Sequence, residues 1–180
     1  PPSAFVAGVA LRRYRAEGFQ EPPAGATFAV QGALNPEFEI TRQNQEASNP
    51  QGANAIRRLP GRGVVIWGAR TRSTNPFYRF VNTRVILNVI IGTYRTAFDQ
   101  LLFQALDGRN ALFNQITSTS DGILYRLWLG GALFGAEPRA AYESICDRRN
   151  NPGLDLENGV VRLSVFVVPA GTFERWRLIW

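Results

Sequence analysis

Between Leu87 and Leu133 apolar residues fall at helical spacing in two successive runs, and no other stretch limits the possible folds as strongly. In the first run Leu87, Ile91, Tyr94, Phe98, Leu101 and Ala105 recur every three or four residues, the pattern of a core-facing helix. Asp107-Gly108 interrupts it. The second run extends from about Asn110 to Leu133, with Leu112, Ile116, Ile123 and Leu127 on one side and Gly130-Gly131 near its end. Its Thr117 to Asp121 stretch is poor helix material, which predicts a kink there.

Two such helices need an apolar surface to cover, and the flanking sequence supplies strands. Ala140 to Cys146 reads as one, followed by a polar connection from Asp147 to Asn158. Val161, Leu163, Val165 and Val167 then alternate with Arg162 and Ser164, the period of a half-buried strand. Pro169-Ala170-Gly171 turns the chain, and Phe173 to Trp180 reads as a final strand. Upstream, Pro1-Pro2-Ser3 followed by Phe5, Val6, Val9 and Ala10 predicts a helix with one apolar side ending near Gly18. Glu21 to Gln51 is rich in Pro, Gly, Asn and Gln and reads as a surface excursion with short strands at Thr27 to Val30 and Phe38 to Ile40. Asn54 to Leu59 and Val64 to Arg70 read as two strands around Pro60-Gly61-Arg62-Gly63, and Phe77 to Val81 as a further short strand after Asn75-Pro76. Strands, two long helices and strands again predict an α+β domain with a mixed β-sheet and the two long helices packed on one side.

Among 180 residues the 20 basic side chains, against 14 acidic, are all Arg, with no Lys and no His. That removes Ser-His-Asp and Cys-His machinery, His-containing zinc sites, the P-loop lysine and Schiff-base chemistry. Cys146 is the only cysteine, so no intrachain disulfide can form, and a buried structural thiol is expected. No apolar stretch approaches the ~20 residues of a membrane span. There is no Met, so Pro1 reads as the start of a fragment, with removal of an initiator as the alternative.

The remaining chemistry lies in carboxylates and arginines. Glu37/Glu39 and Asp155/Glu157 could each share one side of an extended segment, the minimum for acid–base hydrolysis, but both pairs sit in polar, loop-like sequence and read as solvated charge. Gly61 to Gly68 misses the G-x-G-x-x-G spacing, and a strand rather than a helix follows, so it reads as a tight turn and not a phosphate loop. The arginines cluster at Arg12, Arg13 and Arg15, at Arg57, Arg58, Arg62, Arg70 and Arg72, at Arg148 and Arg149, and at Arg175 and Arg177. With Tyr14, Trp67, Phe77, Tyr78 and Trp176 interleaved, they would suit an Arg-rich nucleic-acid-binding domain. Arg equally serves protein interfaces, and no nucleic-acid signature accompanies it, so a protein interface is favoured.

A family resemblance then extends over essentially the whole chain. The run from Asn49-Pro50-Gln51-Gly52 through Ile56-Arg57 and Pro60-Gly61-Arg62-Gly63 to Trp67-Gly68-Ala69-Arg70-Thr71 resembles contractile tail sheath proteins. Pro1 to Val9, Tyr78 to Arg84, Leu127-Trp128, Gly131-Ala132-Leu133 with Gly135, and Cys146-Asp147 with Asp155 to Gly159 are similar to further segments of that family. Asp107-Gly108 stands where the family usually has a different turn, and the connection from Gly25 to Arg42 follows no family pattern.

The resemblance implies a virion structural protein without catalytic residues, cofactor or metal. It would assemble as helically stacked hexameric rings around an inner tube and drive that tube through a cell envelope by tail contraction, with genome ejection in a bacteriophage tail. Residues 1–180 are expected to be a single inner, tube-facing domain, a fragment lacking the outer domain and terminal arms. Implied partners are further copies of itself, the inner tail tube protein, and the baseplate and tail terminator proteins; no membrane is implied and nucleic acid is disfavoured. The implied location is a virion tail or contractile injection system particle assembled in the bacterial host cytoplasm. The resemblance also implies that strands from neighbouring protomers complete the sheet, with Val161, Leu163, Val165, Val167, Phe173, Trp176 and Ile179 at the point of strand addition. Arg126 and Arg139 are the expected tube contacts. Gly61, Gly63, Trp67, Gly68 and Arg70 are expected to be structural, with Trp67 largely buried and Arg70 holding the loop that follows it.

Overall fold

The structure, a computed structural model, describes residues 2–106 and 108–174. The chain divides into two compact units, Pro1–Ile86 with Gly171–Trp180, and Leu87–Ala170.

In the first unit, helix α1 (Ser3–Glu17) ends at Gly18, whose φ of 101° breaks the helix while its N–H still reaches Tyr14 O. Val9 is its one buried residue; Val6 also packs inward, but Phe5 is exposed, so the apolar side is narrower than the sequence predicts. The polar excursion contains a helix that hydrophobic periodicity cannot reveal, α2 (Arg42–Ser48), which buries nothing. Thr41 caps it by accepting the Asn44 N–H, and Arg42 pairs with Glu46 one turn on. Neither short strand expected in that excursion forms.

Strands β1 (Ala55–Leu59) and β2 (Gly63–Trp67) make an antiparallel hairpin with Ala55 opposite Trp67 and Leu59 opposite Gly63. Gly61 and Gly63 carry the positive φ angles, 70° and 77°, that let three residues close it. Val64, Val65 and Ile66 are all buried, so both faces of β2 are covered. Its free edge is met by Gly25 N–H on Ile66 O and Val30 N–H on Val64 O, but Gly25, at φ 111°, keeps that segment from becoming a third strand. The core is Val9, Val30, Val64 and Ile66, with Phe28 and Ile56 against it. The strand expected at Phe77 to Val81 is a short 3-10 turn, Pro76–Tyr78, and a single bridge of Phe80 to Arg70, because Asn75 caps the turn that Pro76 opens.

Helix α3 (Val81–Asp99) carries the chain past Ile86 into the second unit. It stops six residues before Ala105, and Phe103 lies fully exposed at φ 67° in the connection to α4 (Ala111–Leu129). Helix α4 is unbroken through Thr117 to Asp121. Ser120 is fully buried there, its Oγ 2.7 Å from both the Tyr94 hydroxyl and Ser144 Oγ, so the polar stretch serves a hydrogen-bonded contact between helices and strand. Gly130 and Gly131 end α4 earlier than Leu133, with Ala132 N–H returning to Leu127 O.

After the short helix α5 (Pro138–Ala141) comes β3 (Tyr142–Ile145), then α6 (Gly153–Glu157) and β4 (Ser164–Val167). β3 and β4 pair antiparallel, Tyr142 opposite Val167 and Ile145 opposite Ser164. The α+β class holds, but in place of one mixed sheet the described residues form two separate two-stranded antiparallel sheets. No βαβ crossover joins them, so nothing imposes parallel pairing. Leu112, Phe113, Ile116 and Cys146 form a core here, with Phe98, Leu101, Leu156, Val161 and Leu163 against it.

Candidate assembly surfaces

The run from Asn49 to Thr71 is a self-locking backbone structure. Asn54 is its centre: its Oδ1 accepts the Arg70 N–H and its Nδ2 donates to Arg70 O, both at 2.8 Å, so one side-chain amide pairs with a residue as a neighbouring strand would. Two glycines make room. A Cβ on Gly68, at φ 149°, would lie 2.7 Å from Asn54 Oδ1, and one on Gly52 would lie 2.4 Å from Thr71 O. Trp67 is half-buried at the end of its strand, and its carbonyl accepts from Gln45 Nε2 at 3.0 Å.

Arg70 does not hold the loop that follows it. Thr71 does, through its hydroxyl on Tyr78 O and its N–H on Arg79 O. The Arg70 guanidinium instead grips the Glu174 carboxylate, Nε to Oε2 at 2.9 Å and Nη2 to Oε2 at 2.7 Å, with both side chains 14% exposed. Asn49 Nδ2 adds a contact to Glu174 Oε1 at 3.4 Å. This cluster was invisible in the sequence because 104 residues separate Arg70 from Glu174.

In the second unit the expected strand-addition residues divide. Val161 and Leu163 precede β4 and pack into the core of their own unit. Val165 and Val167 lie half-buried in β4, whose antiparallel partner among the described residues is β3. Phe173 belongs to the first unit, is 80% exposed and is not in a strand. Trp176 and Ile179, and the rest of the expected final strand beyond Glu174, lie outside the described residues. Among the described residues no further strand pairs with β3 or β4, and β4 also presents Phe166 to solvent. Beyond β4, Leu133 bridges to Pro169, and the exposed Leu129 and Phe134 flank a shallow apolar groove with Trp128, Leu133 and Ala170.

Arg126, in the last turn of α4, and Arg139, in α5, are exposed and form no ion pair among the described residues. They contrast with the arginines used internally. Arg12 and Arg13 donate to Ala29 O and Ala24 O, Arg57 to Gln45 and Arg58 to Asn35, and Arg84 stacks over Tyr78. Of the carboxylate pairs, Glu37 and Glu39 are exposed. Asp155 is not solvated: it lies in α6, 18% exposed, with Oδ1 held by Arg162 at 3.0 Å. Burial pushes the Cys146 thiol up from its ordinary value, with the Asp147 charge adding to the shift. Hydrogen bonds from Arg149 hold the exposed Asp147 carboxyl below its usual range.

These surfaces consist of paired backbone, strand edges and exposed apolar groups. Residues 1–72 match the phage tail sheath protein central domain family. Over its full length the chain superposes on a chain of the extracellular contractile injection system PVC sheath complex in the contracted state, at 26% identity and a TM-score of 0.93, covering 50% of that chain. The whole chain has the fold of a contractile sheath chain. A chain of the six-fold-symmetrised anti-feeding prophage baseplate gives 25% identity and a TM-score of 0.93, with 100% of this chain and 49% of that one covered. A chain of the anti-feeding prophage helical sheath in its contracted state gives 25% and 0.90, covering 100% and 50%. The chain thus spans about half the length of these solved relatives. No curated protein matches the chain.

Proposed function

We propose that this domain is the inner, tube-facing part of a structural sheath subunit, in a bacteriophage tail or a related injection particle. Its copies stack as hexameric rings around an inner tube and contract to drive the tube through an envelope. The observation that carries the reading is the full-length superposition on chains of contracted sheaths. The energy of such a device is stored at assembly and released as interfaces repack between two lattice states, so the chain needs no catalytic group.

The β3–β4 hairpin supports strand addition as the link between copies. A two-stranded sheet is marginal alone, and its edges offer unpaired N–H and C=O groups to a strand from a neighbouring protomer. Arg126 and Arg139 are the cations with which the domain meets acidic residues of the tube, steering assembly more than adding affinity. Baseplate and terminator proteins cap the two ends of the assembly. Electron microscopy of the full-length protein produced with its tube tests this: a striated cylinder is expected, and dispersed monomers that shift random DNA at low salt would refute it. Reversing Arg126 and Arg139 together should leave sheaths that no longer enclose tube, and tube-filled sheaths in that variant would remove the tube assignment.

A further inference from the structure

Helix α4 separates two exposed apolar features of the second unit. At its N-terminal end Leu101 packs with Leu112 and Phe113, and the chain then turns outward and leaves Leu102, Phe103 and Leu106 exposed. Phe103 stands fully in solvent at φ 67°, a conformation that disfavours a bulky side chain, while the Gln104 N–H on Leu101 O closes the turn around it. Among the described residues nothing offsets this exposure and strain, and a glycine at the position would remove both. At the C-terminal end of α4 lies the groove between Trp128, Leu129, Leu133, Phe134 and Ala170. Its walls are set in advance: Trp128 Nε1 donates to Gly135 O at 2.9 Å, the Phe134 N–H to Val168 O at 2.8 Å and the Ala170 N–H to Ala132 O at 2.9 Å. A partner therefore meets an apolar surface that needs little further ordering.

The 19 residues of α4 span roughly 28 Å, so the protruding ring of one chain cannot reach its own groove. Contact between unlike patches of two copies is heterologous; it repeats head to tail and generates rings or helices, whereas a like-to-like contact stops at a pair. The charges beside the two patches are complementary. The exposed Arg109 follows the protruding turn, the exposed Glu137 follows Ala136 at the groove, and neither has an ion-pair partner among the described residues. We propose that Phe103, with Leu102 and Leu106 beside it, seats in the groove between Trp128 and Phe134 of a second copy of this chain, with Arg109 facing that copy's Glu137. The choice of a second copy as occupant rests on the sheath reading above. Each contact is small, and its repetition around a closed assembly gives it weight.

The test uses the full-length protein produced with its tube. The double variant Phe103→Cys with Phe134→Cys, treated with a short bis-maleimide, should give a ladder of covalent multimers beyond the dimer, and each single variant only monomer. Phe103→Gly should leave the thermal midpoint of the subunit unchanged or raised while lowering sheath yield by electron microscopy at least tenfold; a lower midpoint would make the ring structural, and either that or wild-type yield overturns the contact. Arg109→Glu and Glu137→Arg should each lower the yield, and the two together should restore most of it. Sheaths of the double cysteine variant without a ladder, or with Phe103→Cys cross-linked to the tube protein instead, overturn the contact and leave the sheath reading standing. A ladder from protein that forms no sheath overturns the sheath reading and leaves the contact, and neither sheath nor ladder overturns both.

Discussion

Asn151 offers the sharpest test of how polar side chains hold this domain. It is 1% exposed, and its amide does for Arg162 what Asn54 does for Arg70: Oδ1 accepts the Arg162 N–H and Nδ2 donates to Arg162 O at 3.0 Å. The same Nδ2 reaches Asp147 O at 2.9 Å and Asn150 Oδ1 at 2.8 Å, so three acceptors converge on one amine. Asn151→Asp keeps the shape and turns that amine into another acceptor. Two N–H donors are lost, at about 1 kcal/mol net each; Arg162 O and Asn150 Oδ1 keep other partners, and the one oxygen left unpaired, Asp147 O, adds roughly 1–3 kcal/mol, which gives about 3–5 kcal/mol in all. Asn54→Asp loses the same kind of bond at an exposed position where water replaces it, for about 1 kcal/mol. The pH dependence follows from the sign of the shift. Burial among carbonyls raises the folded pKa of the introduced carboxyl above its unfolded value of ~3.9. The deficit of the variant relative to wild type is therefore smallest below about pH 4, grows as pH rises through the raised folded pKa, and is flat above it. Urea unfolding of both variants and wild type from pH 4 to pH 8 measures it. A pH-independent deficit for Asn151→Asp, or equal losses at the two asparagines, would refute the argument.

Two further outcomes are expected. Cys146 is buried with its thiol pushed up, so a disulfide-exchange reagent at neutral pH should label it at least a hundredfold more slowly in the folded protein than in urea, and fast labelling of the native form would contradict its place in the core. Gly68→Ala should cost about 1–3 kcal/mol in thermal or urea unfolding, from the strained φ and the clash with Asn54, whereas Gly61→Ala, which meets nothing within 4 Å, should cost less; the reverse order would show that the hairpin turn, not the Asn54 contact, is the tighter constraint.

What could be read in advance was what depends on neighbours in sequence. The hairpin around Gly61 and Gly63 declared itself through turn residues, α3 and α4 through a repeat of three and four, and β4 through Val165 and Val167. Helix α2 gave no apolar signal because it buries nothing, and only Thr41 with Asn44 three residues on could have marked its start. The Ser120 contact inverted its own cue: residues with poor helix propensity were retained because Tyr94 and Ser144 await them in the packed unit. Asn54 and Asn151 imitate strands with side chains, and no periodicity reports that. The grip of Arg70 on Glu174 joins residues 104 apart, beyond any local pattern.

The arginine-only composition has a physical reason in the same terms. Residues between Gly18 and Thr41 carry little that is buried, Val30 being the clearest exception, so apolar packing alone does not hold that excursion to the first unit. Its carbonyls and amides are met by guanidinium groups: Arg12 on Ala29 O, Arg13 on Ala24 O while pairing with Glu17 and Glu21, and Arg58 on Asn35 Oδ1 at 2.7 Å. Each such side chain can donate in several fixed directions at once, and Arg13 also lies over the Phe28 ring, 5.8 Å from its centroid. A lysine offers a point charge that prefers water and could not join a helix, a loop carbonyl and two carboxylates together. Arg12, Arg13, Arg57 and Arg70 thus serve as internal hydrogen-bond donors, while most of the other described arginines, Arg126 and Arg139 among them, are exposed.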